Sequence, residues 1–302
     1  MDIVCLTHTV RPGTRHPAGS GSGMKQHDPD PPPPPPGGVL WETAGDIRSL
    51  LALPAAFVLQ VAHPAVGAGV DDHSVFRTDP WGRGERSLTS VLLWVYGGAD
   101  AAEEGRRLRR IHRDIRGTDP HGRRYHALTP ASYAWVHATG YPVARYARRY
   151  FARPFTQEED ERFYAEWLMV GRILGIHDRD MPQTVQEFRP YYDKVLADEI
   201  GRNTVVDELT SAHRAIPAPP GHRVLGLLWP VLRPALARTL RFLSIGLLPP
   251  EARSALGLPW TERQERRLRR WAVLVRWLVP RLPERLRYLP YARRARAAAP
   301  HR

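Results

Sequence analysis

The sequence predicts an all-α protein: one helical domain over residues 39–302 behind a disordered Pro/Gly-rich tail at 1–38. Three observations predict it. Apolar residues recur at three- and four-residue spacing through most of the chain. Side-chain caps and glycines punctuate those stretches where helices should start and stop. No segment of strand length alternates apolar and polar residues convincingly, and no internal repeat is visible.

Taken in order, the tail holds Gly-Ser-Gly-Ser-Gly at 19–23 and six prolines from Pro31 to Pro36. Such a composition buries too little surface to offset its ordering entropy, which predicts a solvated tail. Met24 lies within it, and translation is expected to start there. From Trp41 an apolar stripe (Ile47, Leu50, Leu51, Pro54, Val58, Val61) predicts a helix ending at His63-Pro64, since proline disfavours helical geometry at the residue before it. The small residues from Ala65 to Val70 predict a loop with close backbone approach. Ser87 to Tyr96 is expected to form a buried helix closed by Gly97-Gly98, and Ala101 to Arg116 an amphipathic one capped by Gly117. Thr129-Pro130 opens a helix running to Gly140. Thr156 with Glu159, and Thr184 with Glu187, have the spacing of capping boxes for helices 157–174 and 185–200. Val224 to Leu248 is strongly apolar but holds Pro230 and Pro234, which predicts a broken amphipathic hairpin; Glu262 to Val279 predicts a final helix with Leu268, Trp271, Ala272, Val275 and Leu278 on one face.

Charge is unevenly placed. Residues 262–302 carry thirteen Arg against three Glu, so this stretch supplies +10 of the net +13 and the remainder is nearly neutral. A uniformly basic nucleic-acid binder would not have this distribution, and no nucleic-acid partner is expected. Cys5 is the only cysteine, which excludes intramolecular disulfides, Cys-ligated zinc and iron–sulfur clusters. No apolar run of secretory length with flanking arginines occurs in the first forty residues, and none reaches about 18 residues anywhere. The expectation is a cytoplasmic protein, with membrane association open to the 224–302 region.

His112 is the leading candidate for chemistry. It shares one helix face with Leu108, Ile111 and Ile115 while Arg106, Arg107, Arg109, Arg110 and Arg113 take the others. An imidazole turned inward is satisfied either by a backbone carbonyl or by a metal. His137, one turn after Tyr133, competes with it; His63 and His73 bracket the small-residue segment. Arg77, Arg83 and Arg86 cluster before Ser87, where guanidinium groups could hold carboxylates. Glu166 lies on a face with Phe163 and Val170, and a carboxylate there is either a base or half of an ion pair. No Glu is followed by His at the third position, which removes the helical di-iron reading, and the zinc-peptidase, P-loop, dinucleotide and serine-elbow motifs are absent.

Several strings together resemble the rubber oxygenase (latex clearing protein) and mycophenolic-acid-pathway oxygenase catalytic domain. They are Leu59-Gln-Val-Ala-His63-Pro-Ala-Val-Gly-Ala-Gly-Val70 with His73-Ser74, Arg110-Ile-His112-Arg-Asp-Ile-Arg-Gly117, Tyr125-His-Ala-Leu-Thr-Pro130 and Trp135-Val-His137-Ala-Thr139, then Leu247-Leu-Pro-Pro-Glu-Ala-Arg253, Leu256-Gly-Leu-Pro-Trp260 and Leu289-Pro-Tyr-Ala-Arg293. The resemblance spans about Trp41 to Arg296. It implies a globin-like or otherwise all-helical fold that binds haem b through one histidine. The family's proximal histidine matches His112, its distal arginine Arg83 and its threonine Ser87; the distal lysine position falls on Arg86. Arginine does not deprotonate to ligate iron, so the lysine-capped resting state is not expected. No Glu stands where the rubber oxygenases carry their catalytic acid, Asp71 and Asp72 being the nearest carboxylates.

The resulting expectation is a haem-dependent oxygenase acting with dioxygen on a small apolar, isoprenoid or lipid-like substrate. Its site would be His112 on the iron, Arg83 and Ser87 in catalysis, and Arg83, Arg86 and His137 around the cofactor. The alternative is a non-catalytic peripheral membrane or lipid-binding protein using residues 224–302.

Overall fold

The computed structural model describes residues 29–221 and 223–299; Cys5, the Gly/Ser segment and Met24 lie outside the described residues. A compact unit begins at Pro31, eight residues before the expected boundary. Pro34 is buried and the Gly38 amide donates to the Pro35 carbonyl at 2.9 Å. Prolines have little backbone freedom left to lose, so this run orders at a cost that Gly/Ser could not match.

The unit is helical throughout apart from one small hairpin. It opens with α1 (Val39–Ala44), a 3₁₀ turn (Ile47–Ala52), α2 (Leu53–Val61) and α3 (Pro64–His73). The residues from Ala65 to Val70 are therefore helix, not loop, but their smallness has the expected use. A Cβ on Gly67 would meet the Val61 carbonyl and Asn203 Nδ2, each at 2.6 Å.

Next come α4 (Pro80–Tyr96) and α5 (Asp100–His112), antiparallel across the Gly97–Ala99 turn. α4 starts seven residues earlier than its apolar periodicity suggested, because Asp79 caps it by accepting from the Gly82 amide at 2.9 Å. α5 stops at His112, four residues early, since the following chain turns into the hairpin of β1 (Arg116–Thr118) and β2 (Arg124–His126). Gly117 is thus a strand residue pressed against Tyr125, not a helix cap.

α6 (Pro130–Ala138) leads into α7 (Gly140–Phe151); Gly140 does not end a helix, but lets the backbone approach Trp167, where a Cβ would sit 2.3 Å from the indole. α8 (Gln157–Ile173) carries the expected Thr156/Glu159 capping box. α9 (Val185–Asp198) keeps the Thr184 half of its box, while Glu187 accepts from the Gln183 amide instead. α10 (Thr204–Leu209) follows.

α11 (Arg223–Gly246) corrects the broken-hairpin expectation: it is one continuous helix with Pro230 and Pro234 inside. Each proline deletes one amide donor, and in an exposed helix water can take the freed carbonyl. α12 (Pro250–Ala255), α13 (Glu262–Leu278), α14 (Glu284–Arg287) and α15 (Pro290–Ala298) complete the fold. The core is one contiguous cluster in which Trp135, Tyr164, Phe151 and Leu59 are almost wholly buried.

Much of the basic C-terminal stretch is folded against the body. Arg287 pairs with Asp46 at 3.2 Å, and Arg296 pairs with Glu42 at 2.6 Å while lying over the rings of Trp41 and Tyr288. Ala292 is fully buried against Gly45.

Candidate active site

The α4–α5 pair organises the site. Midway along it, buried Glu104 accepts from Ser90 Oγ at 2.5 Å and from Arg107 at 2.6 Å, locking the two helices in register. Arg83 lies seven residues before Ser90, and His112 lies five residues beyond Arg107. These steps amount to about 10 and about 7 Å of helix rise, so the two residues fall towards the same end of the antiparallel pair.

His112 is the last residue of α5 and is half-buried. Its Nδ1–H donates to the Leu108 carbonyl one turn back at 2.8 Å. That bond fixes the tautomer and leaves the Nε2 lone pair without a partner among the described residues. Tyr133 of α6 meets the imidazole edge-on at 6.1 Å between centroids. Burial lowers the His112 pKa, and the Leu108 carbonyl only partly opposes this. A neutral imidazole with one bare nitrogen is what axial ligation of iron requires.

Arg83 is a half-buried cation lacking an anion. Its guanidinium lies 3.9 Å from the centre of the Phe57 ring, with no carboxylate ion-paired to it among the described residues. Burial, with the neighbouring charges of Arg214 and Arg86, brings its pKa down to about 10. It therefore stays protonated at neutral pH. The other arginines differ: Arg77 binds Asp71 and Glu208, each at 2.7 Å, and Arg86 spans 3.2 Å to Asp79 from the exposed side of α4. Ser87 lies one turn beyond Arg83 and is exposed. Arg214, half-buried in the segment before α11, was not singled out by sequence; it has no motif and reaches the site only through tertiary folding.

His137, expected beside the cofactor, has a structural setting instead. Its Nε2–H donates to the Trp167 carbonyl at 2.9 Å, its ring stacks on the Trp167 indole at 4.6 Å, and Trp167 Nε1 donates back to the His137 carbonyl. Complete burial pushes its pKa down to about 4. Glu166 is also committed: its two oxygens accept from the Val39 and Leu40 amides at 3.0 and 2.6 Å, capping α1. Gly38 makes room for that carboxylate. Asp72 bonds the Tyr125 hydroxyl and Asp71 pairs with Arg77, so neither is a free buried base.

Two concavities lie elsewhere. An open cleft of about 860 Å³ runs between α7 and α13, and a cavity of about 260 Å³ is lined by His63, Trp135, Asp180, Tyr191 and Glu199. No cluster of three or more His, Cys, Asp or Glu side chains suited to a metal occurs among the described residues. A haem asks for less: one neutral imidazole, cationic partners for its propionates and apolar walls. His112, Arg83, Phe57 and Tyr133 fit those needs.

Comparison with known proteins agrees with this reading of the fold and sequence. An uncharacterised protein of Mycobacterium bovis and another of Mycobacterium tuberculosis are each 26% identical to the chain over 243 residues, covering 77% of it and 89% of the relative. No solved structure matches. Residues 41–277 match the family described as "ER-bound oxygenase mpaB/B'/Rubber oxygenase, catalytic domain". The chain belongs to the mpaB/rubber oxygenase catalytic-domain family, a family of oxygenases, and is an oxidoreductase of that kind.

Proposed function

We propose that the protein is a haem b-dependent oxygenase that uses dioxygen on an apolar substrate of isoprenoid or lipid-like character. The observation that carries this reading is His112, whose Nδ1 is committed to the Leu108 carbonyl and whose Nε2 is bare. Haem, when bound, supplies the iron redox chemistry of the oxygenase. His112 would hold the group through Nε2, and the Leu108 bond keeps the imidazole oriented. Arg83 would supply a fixed positive charge to a carboxylate of the cofactor. Phe57 packs against the Arg83 guanidinium and Tyr133 against the His112 ring, giving each an apolar wall. Arg86 is bonded to Asp79, and a guanidinium offers no nitrogen lone pair to a metal. The substrate class is supported by the exposed apolar side chains at the Arg83 end of α4, Trp81 and Val75.

The test is the visible spectrum of protein made with haem precursor supplied. A Soret band that shifts on reduction and again with carbon monoxide is expected, and His112→Ala is expected to lose or displace it. A protein that remains colourless through haem titration would overturn the reading.

A further inference from the structure

The first half of α11 is an apolar prong. Between Arg223 and Arg233 it has no charged residue, and Leu227 is 82% exposed, Val231 78%, Val224 70% and Leu228 52%. At helical spacing these side chains, with Leu225 and Leu232, span an arc of roughly 160° on one face. A Cβ added at Gly226 would meet nothing. On the remaining side, Trp229 anchors the prong: it packs edge-on against Trp81 at 5.9 Å and donates to the Ile216 carbonyl at 2.7 Å. Trp81 precedes Arg83 by two residues on α4, so the prong stands beside the candidate active site.

The electrostatics name the partner. Between Glu208 and Glu251 the chain holds five arginines and no carboxylate. Arg238 continues the apolar face one to two turns on and is exposed, and half-buried Arg241 lies at its edge. An apolar stripe running into a belt of arginines suits a bilayer with anionic headgroups. The two internal prolines leave carbonyls that need water, which limits insertion to the headgroup and upper acyl region. No single described helix is long and apolar enough to cross a membrane.

We infer that residues 224–232 dock the protein on an anionic membrane surface, holding the Arg83 end of α4 against the lipid. The docking stands independently of the cofactor; only delivery of an apolar substrate from the bilayer rests on the function proposed above.

The test is co-sedimentation of the full chain with phosphatidylcholine vesicles, with and without phosphatidylserine. Wild type is expected to pellet with the phosphatidylserine vesicles. Leu227→Asp with Val231→Asp is expected to weaken binding by about tenfold or more, with helical circular dichroism unchanged because both side chains are already exposed. Arg238→Gln with Arg241→Gln is expected to erase the preference for phosphatidylserine. Failure of wild type to bind either vesicle, or undiminished binding by the double aspartate variant, overturns the proposal. A dimer that this variant dissolves, in a protein that ignores vesicles, would overturn it in favour of a second copy on the same face. The readout is bound fraction, so it is unaffected by whether the protein carries haem.

Discussion

Arg83 shows how one residue can be costly to the fold and useful to a site. A half-buried cation without an anion costs stability, while its position over Phe57 returns roughly 0.5–2 kcal/mol. Arg83→Met keeps most of the packing and removes the charge. It is expected to leave the ligand-free protein between equally stable and about 2 kcal/mol more stable, and to weaken haem uptake. Urea unfolding beside a haem titration measures both; a marked loss of stability would mean that the guanidinium has a partner in the fold. His137 makes the opposite kind of prediction. Its folded pKa is near 4 and its unfolded value near 6.5. Below pH 6.5 the unfolded chain therefore binds the proton that the native state refuses, and stability falls with pH until about pH 4. The full loss is roughly 3 kcal/mol. His137→Gln should flatten that slope in unfolding curves taken across this range.

At the scale of elements, one side chain of α8 caps the start of α1. Glu166 accepts two amides at the start of α1, and charge-assisted bonds of this kind contribute about 1.5–3 kcal/mol each at most. Glu166→Ala is expected to cost on the order of 2–4 kcal/mol, read as a lower urea midpoint. The helices were legible where cap and periodicity coincide, as at Thr156 and Thr184. They were misjudged where glycine serves packing across a contact, since Gly67, Gly117 and Gly140 read locally as loop or cap. α4 was truncated on the page because Gly82 and Gly84 mask a helix whose start depends on Asp79. Of the site, His112 and Arg83 were visible as types and spacings; that His137 faces Trp167 and Glu166 faces α1 was not, because both depend on which helices become neighbours.

For the whole molecule, the C-terminal segment is a strap. The Leu289 amide donates to the Gly45 carbonyl at 2.9 Å, Tyr288 and Ala292 are buried, and Arg296 closes over Trp41. The family match ends at residue 277, yet removing 278–302 is expected to cost roughly 3–5 kcal/mol through loss of these contacts. A shortened chain as stable as the full one would show the strap to be dispensable. The same contact sets the order of events on the ribosome. Trp41 and its cover are separated by about 250 positions, a gap that takes roughly 10–50 s to translate. Through that interval the first helix waits without its lid, and the domain, rich in local contacts otherwise, reaches its native state only when the last helix arrives.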